Sequence, residues 1–175
     1  MALARADRDI NHVIAYGQSL SSGCEDWPAL STEQAHDSLM LGDAVRPRKD
    51  DSIEWSPVGT TAFRPLRATV QEWPPGAVAL GETVLEGAAN FWRGRQLAVG
   101  ASPGRHRLLA RSCGVGGRTL EALSKGASPE LFPRLRGCAR LARATADARG
   151  LSCRMAAAVP PRRDGWLARL WPRRR

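Results

Sequence analysis

Three short apolar runs alternate with two segments of helical periodicity, and that alternation constrains the fold of this chain more than any other feature. The first run, His12 to Tyr16, contains the β-branched Val13 and Ile14 and stops at Gly17. That length and that stop read as a buried strand. The second, His106 to Cys113, closes on Gly114-Val115-Gly116-Gly117, and the third is Leu151 to Val159. Between the first two, Val84, Leu85, Ala88, Phe91 and Trp92 recur at helical spacing up to Gly94 or Leu97. Glu82 in the first turn, with Arg93 and Arg95 near the end, suits the helix dipole. Between the last two, Thr119 to Lys125 reads as a short helix stopped by Gly126. Pro129 to Arg149 follows as the clearest helix. Its stripe is Leu131, Leu135, Cys138, Leu141, Ala142 and Thr145, and Arg134, Arg136, Arg140 and Arg143 form a solvated face. Strand and helix in alternation predict an α/β fold with a parallel sheet. Ligand sites in such sheets lie outside the C-terminal ends of the strands. Gly17-Gln18-Ser19 and Gly114 to Thr119 are therefore expected on one rim.

The segment from Ser22 to Pro75 has little periodicity and is rich in Pro, Asp, Ser and Thr. One short strand is expected in it, at Ser38 to Gly42. A connection this long carries function or small elements of its own. Trp27, Trp55, Phe63 and Trp73 either pin it to the body or form a platform for substrate, with pinning preferred.

The formal charge of +9 invites a nucleic-acid reading. The pattern argues against it. The cations are scattered arginines, with Lys49 and Lys125 the only lysines, and no aromatic-basic alternation suited to stacking bases occurs. Abundant Ala, Gly and Pro beside Arg fit a GC-rich coding sequence. The four cysteines, Cys24, Cys113, Cys138 and Cys153, include no C-x-x-C pair, so reduced buried thiols are expected and no metal site. No apolar stretch reaches the length of a membrane span, and Met1 to Asn11 lacks the apolar core of a secretory signal. A cytoplasmic location is the expectation.

Serine at a tight turn after a strand is surrounded by backbone N–H groups. If Ser19 Oγ attacked an acyl carbonyl, the oxyanion would need preorganised donors, and the N–H groups of Ser19 and Gly117 are the candidates. Gly17-Gln18-Ser19-Leu20-Ser21 is not the G-x-S-x-G elbow, and Gly114 to Gly117 matches neither phosphate-loop pattern.

Val13-Ile14-Ala15-Tyr16-Gly17-Gln18-Ser19-Leu20-Ser21-Ser22-Gly23 resembles the first block of the SGNH (GDSL-like) hydrolase superfamily, in the Gly-Gln-Ser version of sialate O-acetylesterase-like carbohydrate esterases. Cys113-Gly114-Val115-Gly116-Gly117-Arg118-Thr119-Leu120 resembles its second block, and the stretch from Gly81-Glu82-Thr83 to Ala89-Asn90 resembles a helix start of the same group. The resemblance spans Asp9 to Met155. It implies a flavodoxin-like three-layer α/β/α sandwich hydrolysing an ester, often an acetyl group on a carbohydrate. Ser19 would be the nucleophile, Ser19 and Gly117 the oxyanion hole, and Gln18 and Gly116 substrate contacts, with no cofactor.

The third and final blocks, a Gln-Gly-Glu-like motif and Asp-x-x-His, have no counterpart here. After Val159 the chain is Arg-, Pro- and Trp-rich to Arg173-Arg174-Arg175. The expectation is a partial hydrolase domain, residues 1–159, and an unrelated tail, residues 160–175, arising by frameshift or truncation near Ala156 to Pro160. The sheet would then be incomplete on its C-terminal side and prone to self-association. Among the histidines, His12 and His106 precede strands, so only His36 remains as an in-chain candidate base. The expected partner is a small-molecule or carbohydrate ester. The competing readings are an inactive remnant or carbohydrate-binding protein, and a binder of nucleic acid or anionic surfaces through Arg162 to Arg175.

Overall fold

The computed structural model describes residues 8–23, 28–46, 56–69, 71–72, 79–123 and 131–155. Strand β1, Ile10–Ala15, belongs to a five-stranded sheet, one place in from its β7 edge. The others are β2 (Leu39–Leu41), β3 (Phe63–Pro65), β6 (Arg107–Ser112) and β7 (Cys153–Met155), in the order β3-β2-β6-β1-β7. Two further strands, β4 (Gln71–Glu72) and β5 (Ala79–Leu80), form a separate antiparallel ribbon. β1 pairs in parallel with β6 from Ile10 opposite Arg107 to Ala15 opposite Ser112, and with β7 on its other side. β2 is parallel to β6.

The sheet is therefore mostly parallel, not wholly so. β3 returns antiparallel to β2, Leu41 opposite Phe63 and Leu39 opposite Pro65. The chain between them is long enough to reverse without a crossover helix, and Pro65 is tolerated because β3 is an edge strand. The segment expected to hold one strand thus supplies β2, β3 and β4. Phe63 is buried and anchors it, with Arg149 stacked 5.3 Å above the ring. Trp27, Trp55 and Trp73 lie outside the described residues.

Helix α1, Val84–Ala98, packs on one face and α3, Leu131–Asp147, on the other. Alternate strand residues point to opposite faces. Leu108 and Ala110 join Met40, Val45 and Leu66 against Leu85 and Ala89 of α1. Ile10 and Leu109 join Leu39, Leu41 and Cys153 against Ala142 and Ala146 of α3. The chirality of crossovers explains this. The chain leaves β1 toward β6 on one side, then returns across β1 to β7 on the other. Right-handed connections in opposite directions put their helices on opposite faces.

α1 starts at Thr83, whose hydroxyl accepts from Leu85 N–H while Glu86 accepts from Thr83 N–H. Such a capping box is worth about 1 kcal/mol. Glu82 does not serve the first turn as expected. It lies before the cap and accepts from the N–H groups of Leu30 and Ser31 and the hydroxyl of Ser31. α1 runs to Ala98, one residue past the expected Leu97, and the missing side chain at Gly94 makes room for His36. α3 turns Cys138, Ala142 and Ala146 inward, and Arg136, Arg140 and Arg143 are exposed as expected. The short helix α2 covers Leu120–Leu123, with residues 124–130 outside the described set. The third apolar run is strand only over Cys153–Met155 within the described residues, which end there. Among the described residues no helix is long and apolar enough to cross a membrane.

Candidate active site

The parallel pairing of β1 and β6 continues past both strand ends. Cys113 N–H donates to Ala15 O at 2.7 Å, and Val115 N–H donates to Gly17 O at 2.8 Å. The two glycine-marked turns are thereby tied backbone to backbone. Beyond Gly17 the chain winds into a single 3-10 turn, Ser19–Ser22, closed by Ser21 N–H and Ser21 Oγ, which both donate to Gln18 O. Ser112, the last residue of β6, donates its hydroxyl to Ser21 O and accepts from Gly114 N–H.

Gly114 is the contact point between the turns. A Cβ built on it would lie 2.2 Å from Ser21 Oγ, 2.5 Å from Ser22 Oγ and 3.0 Å from Ser22 N. Gly114→Ala is expected to cost about 1–3 kcal/mol, read as a lowered urea midpoint, because the buried Ser22 must move. Gly116→Ala, where a Cβ meets nothing within 4 Å, should stay within about 0.5 kcal/mol of the parent. Equal midpoints for the two variants would show that the turns are not packed as described.

Behind the 3-10 turn stands Arg46, which is 3% exposed. Its guanidinium donates to the carbonyls of Ser22, Thr69 and Gly81, while Gly81 N–H donates to Gly23 O. One buried cation thus fastens the turn to the entry of α1. The positive end of α1 faces the same rim. Glu86 is buried beneath it, and burial pushes its carboxyl up to about 7 against the opposing bonds from Thr83 and the nearby Arg46 charge.

Gln18, Gly116 and Gly117 are exposed on this rim. Gly117 has φ 68°, a conformation glycine adopts without cost, and its surroundings are open. Ser19 opens the 3-10 turn. Gln18 and Ser19 therefore lie on one of two joined turns, and Gly116 and Gly117 on the other.

His36 is not with them. Its ring lies against α1, 2.9 Å from the Cβ position of Gly94. The adjoining Asp37 is held by Arg93 and by Gly104 N–H, in the loop that leads into the start of β6. That is the N-terminal end of the sheet. The six residues of β6 separate it from the rim by roughly 20 Å. His106 also lies at that end, its Nδ1 2.8 Å from Arg8 O. His12 is in β1, 1% exposed, with neither ring nitrogen hydrogen-bonded. None of the three histidines of the chain stands at the rim.

Sequence reasoning missed Ser112 and Arg46. Ser112 ends a strand and carries no local signal. Arg46 sits in an aperiodic segment among many exposed arginines, and its burial follows from contacts 23 to 35 residues away. No group of His, Cys, Asp and Glu among the described residues suits a metal ion. The Arg-rich residues 160–175 lie outside the described set. Family models, curated proteins and solved structures were compared with the chain, and none matches it.

Proposed function

We propose that this chain is a serine ester hydrolase of the SGNH type, acting on acetyl groups carried by carbohydrates, with Ser19 as its nucleophile. The observation that carries the reading is the joining of the Gly17–Ser22 and Gly114–Gly117 turns at the C-terminal ends of β1 and β6. The parallel pairing of β6, β1 and β7 suits an α/β sheet, in which β2, also parallel, lies beyond β6 and not beside β1. A helix on each face suits a three-layer α/β/α sandwich.

In this reading Ser19 Oγ adds to the acetyl carbonyl, and the N–H groups of Ser19 and Gly117 receive the oxyanion. Collapse expels the sugar hydroxyl and leaves an acetyl-serine, which water hydrolyses. Gln18 and Gly116 border the substrate. Acylation and deacylation each need a group that takes the proton of the attacking oxygen and returns it to the leaving oxygen, and no histidine of the chain reaches the rim. A nucleophile without its base retains little advantage, because the two act as a unit.

External imidazole should therefore raise acetate release from an acetylated sugar by about tenfold or more above the protein-free control. Ser19→Ala should show no such rescue. Rescue of equal size in both proteins would remove Ser19 from the mechanism. The histidine positions favour a second reading, a carbohydrate-binding protein that keeps the rim without turnover. Saturable sugar binding with no acetate release, with or without imidazole, would select it.

A further inference from the structure

Beneath α3, away from the rim's open side, lies a group of buried reactive side chains with no part in the proposed hydrolysis. Arg111 and Cys113 follow Leu109 at alternate positions of one chain segment, so all three face α3. Cys138, Ala142 and Ala146 recur every four residues along α3 and face the sheet. The two spacings match: eight helical residues rise about 12 Å and four strand residues about 13 Å. Ala142 and Ala146 pack with Leu109 and Ile10, which leaves Cys138 beside Cys113 at the far end. The two thiols are hydrogen-bonded to each other, both residues are 1% exposed, and both are free.

We propose that Cys113 and Cys138 form a reversible redox pair, oxidised by peroxide to a disulfide that staples α3 to the end of β6. The surroundings assign the roles. Cys138 accepts from Cys113 and from the Arg111 guanidinium, which holds its thiol below the ordinary range, whereas the donated proton and burial raise Cys113. Cys138 is thus the attacking thiolate and Cys113 the resolving thiol. Cys138 Sγ attacks one peroxide oxygen, the O–O bond breaks, and the hydroxide released takes up a proton to leave as water. Cys138 is then a sulfenic acid. Cys113 Sγ attacks that sulfur, the S–O bond breaks, and the leaving hydroxide takes the Cys113 proton as a second water. Two thiols lose two electrons, and one peroxide becomes two waters. The residue so linked directly precedes Gly114, whose backbone packs on the Ser21–Ser22 turn. Because both sulfurs are buried, the peroxide reaches them when α3 opens locally.

The test treats the reduced full chain with hydrogen peroxide, blocks the remaining thiols by alkylation and maps the peptides by mass. The expected product is a Cys113–Cys138 linked peptide, lighter by two hydrogens and restored by dithiothreitol. Cys153, which burial pushes up to about 11, should stay alkylatable. In Cys113→Ala a dimedone adduct should accumulate on Cys138, and in Cys138→Ala no adduct should form on Cys113. Thermal melting of each reduced variant verifies that it is folded. A folded parent that yields no such link, or links Cys153 instead, overturns the proposal. So does a sulfenic acid trapped on Cys113 in Cys138→Ala.

Discussion

Asp37→Ala is expected to destabilise the protein by about 3–5 kcal/mol, a large part of what holds an ordinary domain together. Its partner Arg93 is 0% exposed although it lies on α1. Arg93 Nε and Nη2 meet the two Asp37 oxygens at 2.5 and 2.7 Å. The same guanidinium donates to Gln96 Oε1 at 3.2 Å and to the carbonyls of Ser102 and Arg105 at 3.1 and 3.0 Å. Asp37 also accepts from Gly104 N–H. One ion pair therefore joins the entry to β2, helix α1 and the loop before β6. The Arg93 guanidinium holds the Asp37 carboxyl below the usual range. Removing the carboxylate leaves a buried cation with only neutral acceptors, which is the costly outcome. Asp37→Ala combined with Arg93→Met should recover part of the loss, because the orphaned charge goes too. Urea midpoints of the three proteins measure this. A double variant no better than Asp37→Ala would show that the cost is lost packing and not a stranded charge.

His12→Leu and Glu86→Gln are expected to change the pH dependence of stability in opposite directions. Burial is the main cause holding His12 down to about 3 from the ordinary 6.5, with the Arg111 charge adding to it. Between those values the unfolded chain binds the proton and the folded protein does not. This group's contribution to stability therefore falls as pH falls below 6.5, by about 1.4 kcal/mol per pH unit. Glu86 runs the other way, its folded value being about 7 against an ordinary 4.5. Between those values the folded protein holds the extra proton, so this contribution grows as pH falls. From pH 6.5 to 4.5 the two slopes nearly cancel, and the parent should be close to flat. Over that window His12→Leu should gain roughly 3 kcal/mol on acidification, and Glu86→Gln should lose about as much. Gln keeps the capping box with Thr83, so the helix start survives the change. Urea midpoints at pH 4.5, 5.5 and 6.5 read these slopes. Parallel curves for all three proteins would mean that neither group titrates as its burial demands.

Much of the frame was legible because it rests on local patterning. The runs that became β1, β6 and β7 are short and apolar, and glycine closes the first two. Helical spacing marked α1 and α3 to within a few residues. The meeting of the Ser19 and Gly114–Gly117 turns followed from topology, since parallel strands place their C-terminal ends together. The end of α1 lies one residue beyond the expected Leu97. One local signal failed where a tertiary contact overrode it. Glu82 reads as a first-turn acid, yet Ser31 and Leu30 claim its carboxylate.

Sequence alone determined the α/β class, the order of the main elements and the rim on which Ser19, Gln18, Gly116 and Gly117 lie. Each depends on periodicity, turn chemistry or the handedness of crossovers, and all of these act over a few residues or on the whole topology. The tertiary structure decided the antiparallel edge strand β3, the Asp37–Arg93 pair, the Arg46 clamp, the Cys113–Cys138 contact and the exclusion of His36 from the rim. Those features join residues 22 to 58 positions apart, through side chains whose types are common throughout the chain. Nothing in a local stretch marks which arginine, cysteine or histidine will be buried. Packing against a distant segment selects it, and that selection exists only once the sheet and its two helices have closed around it.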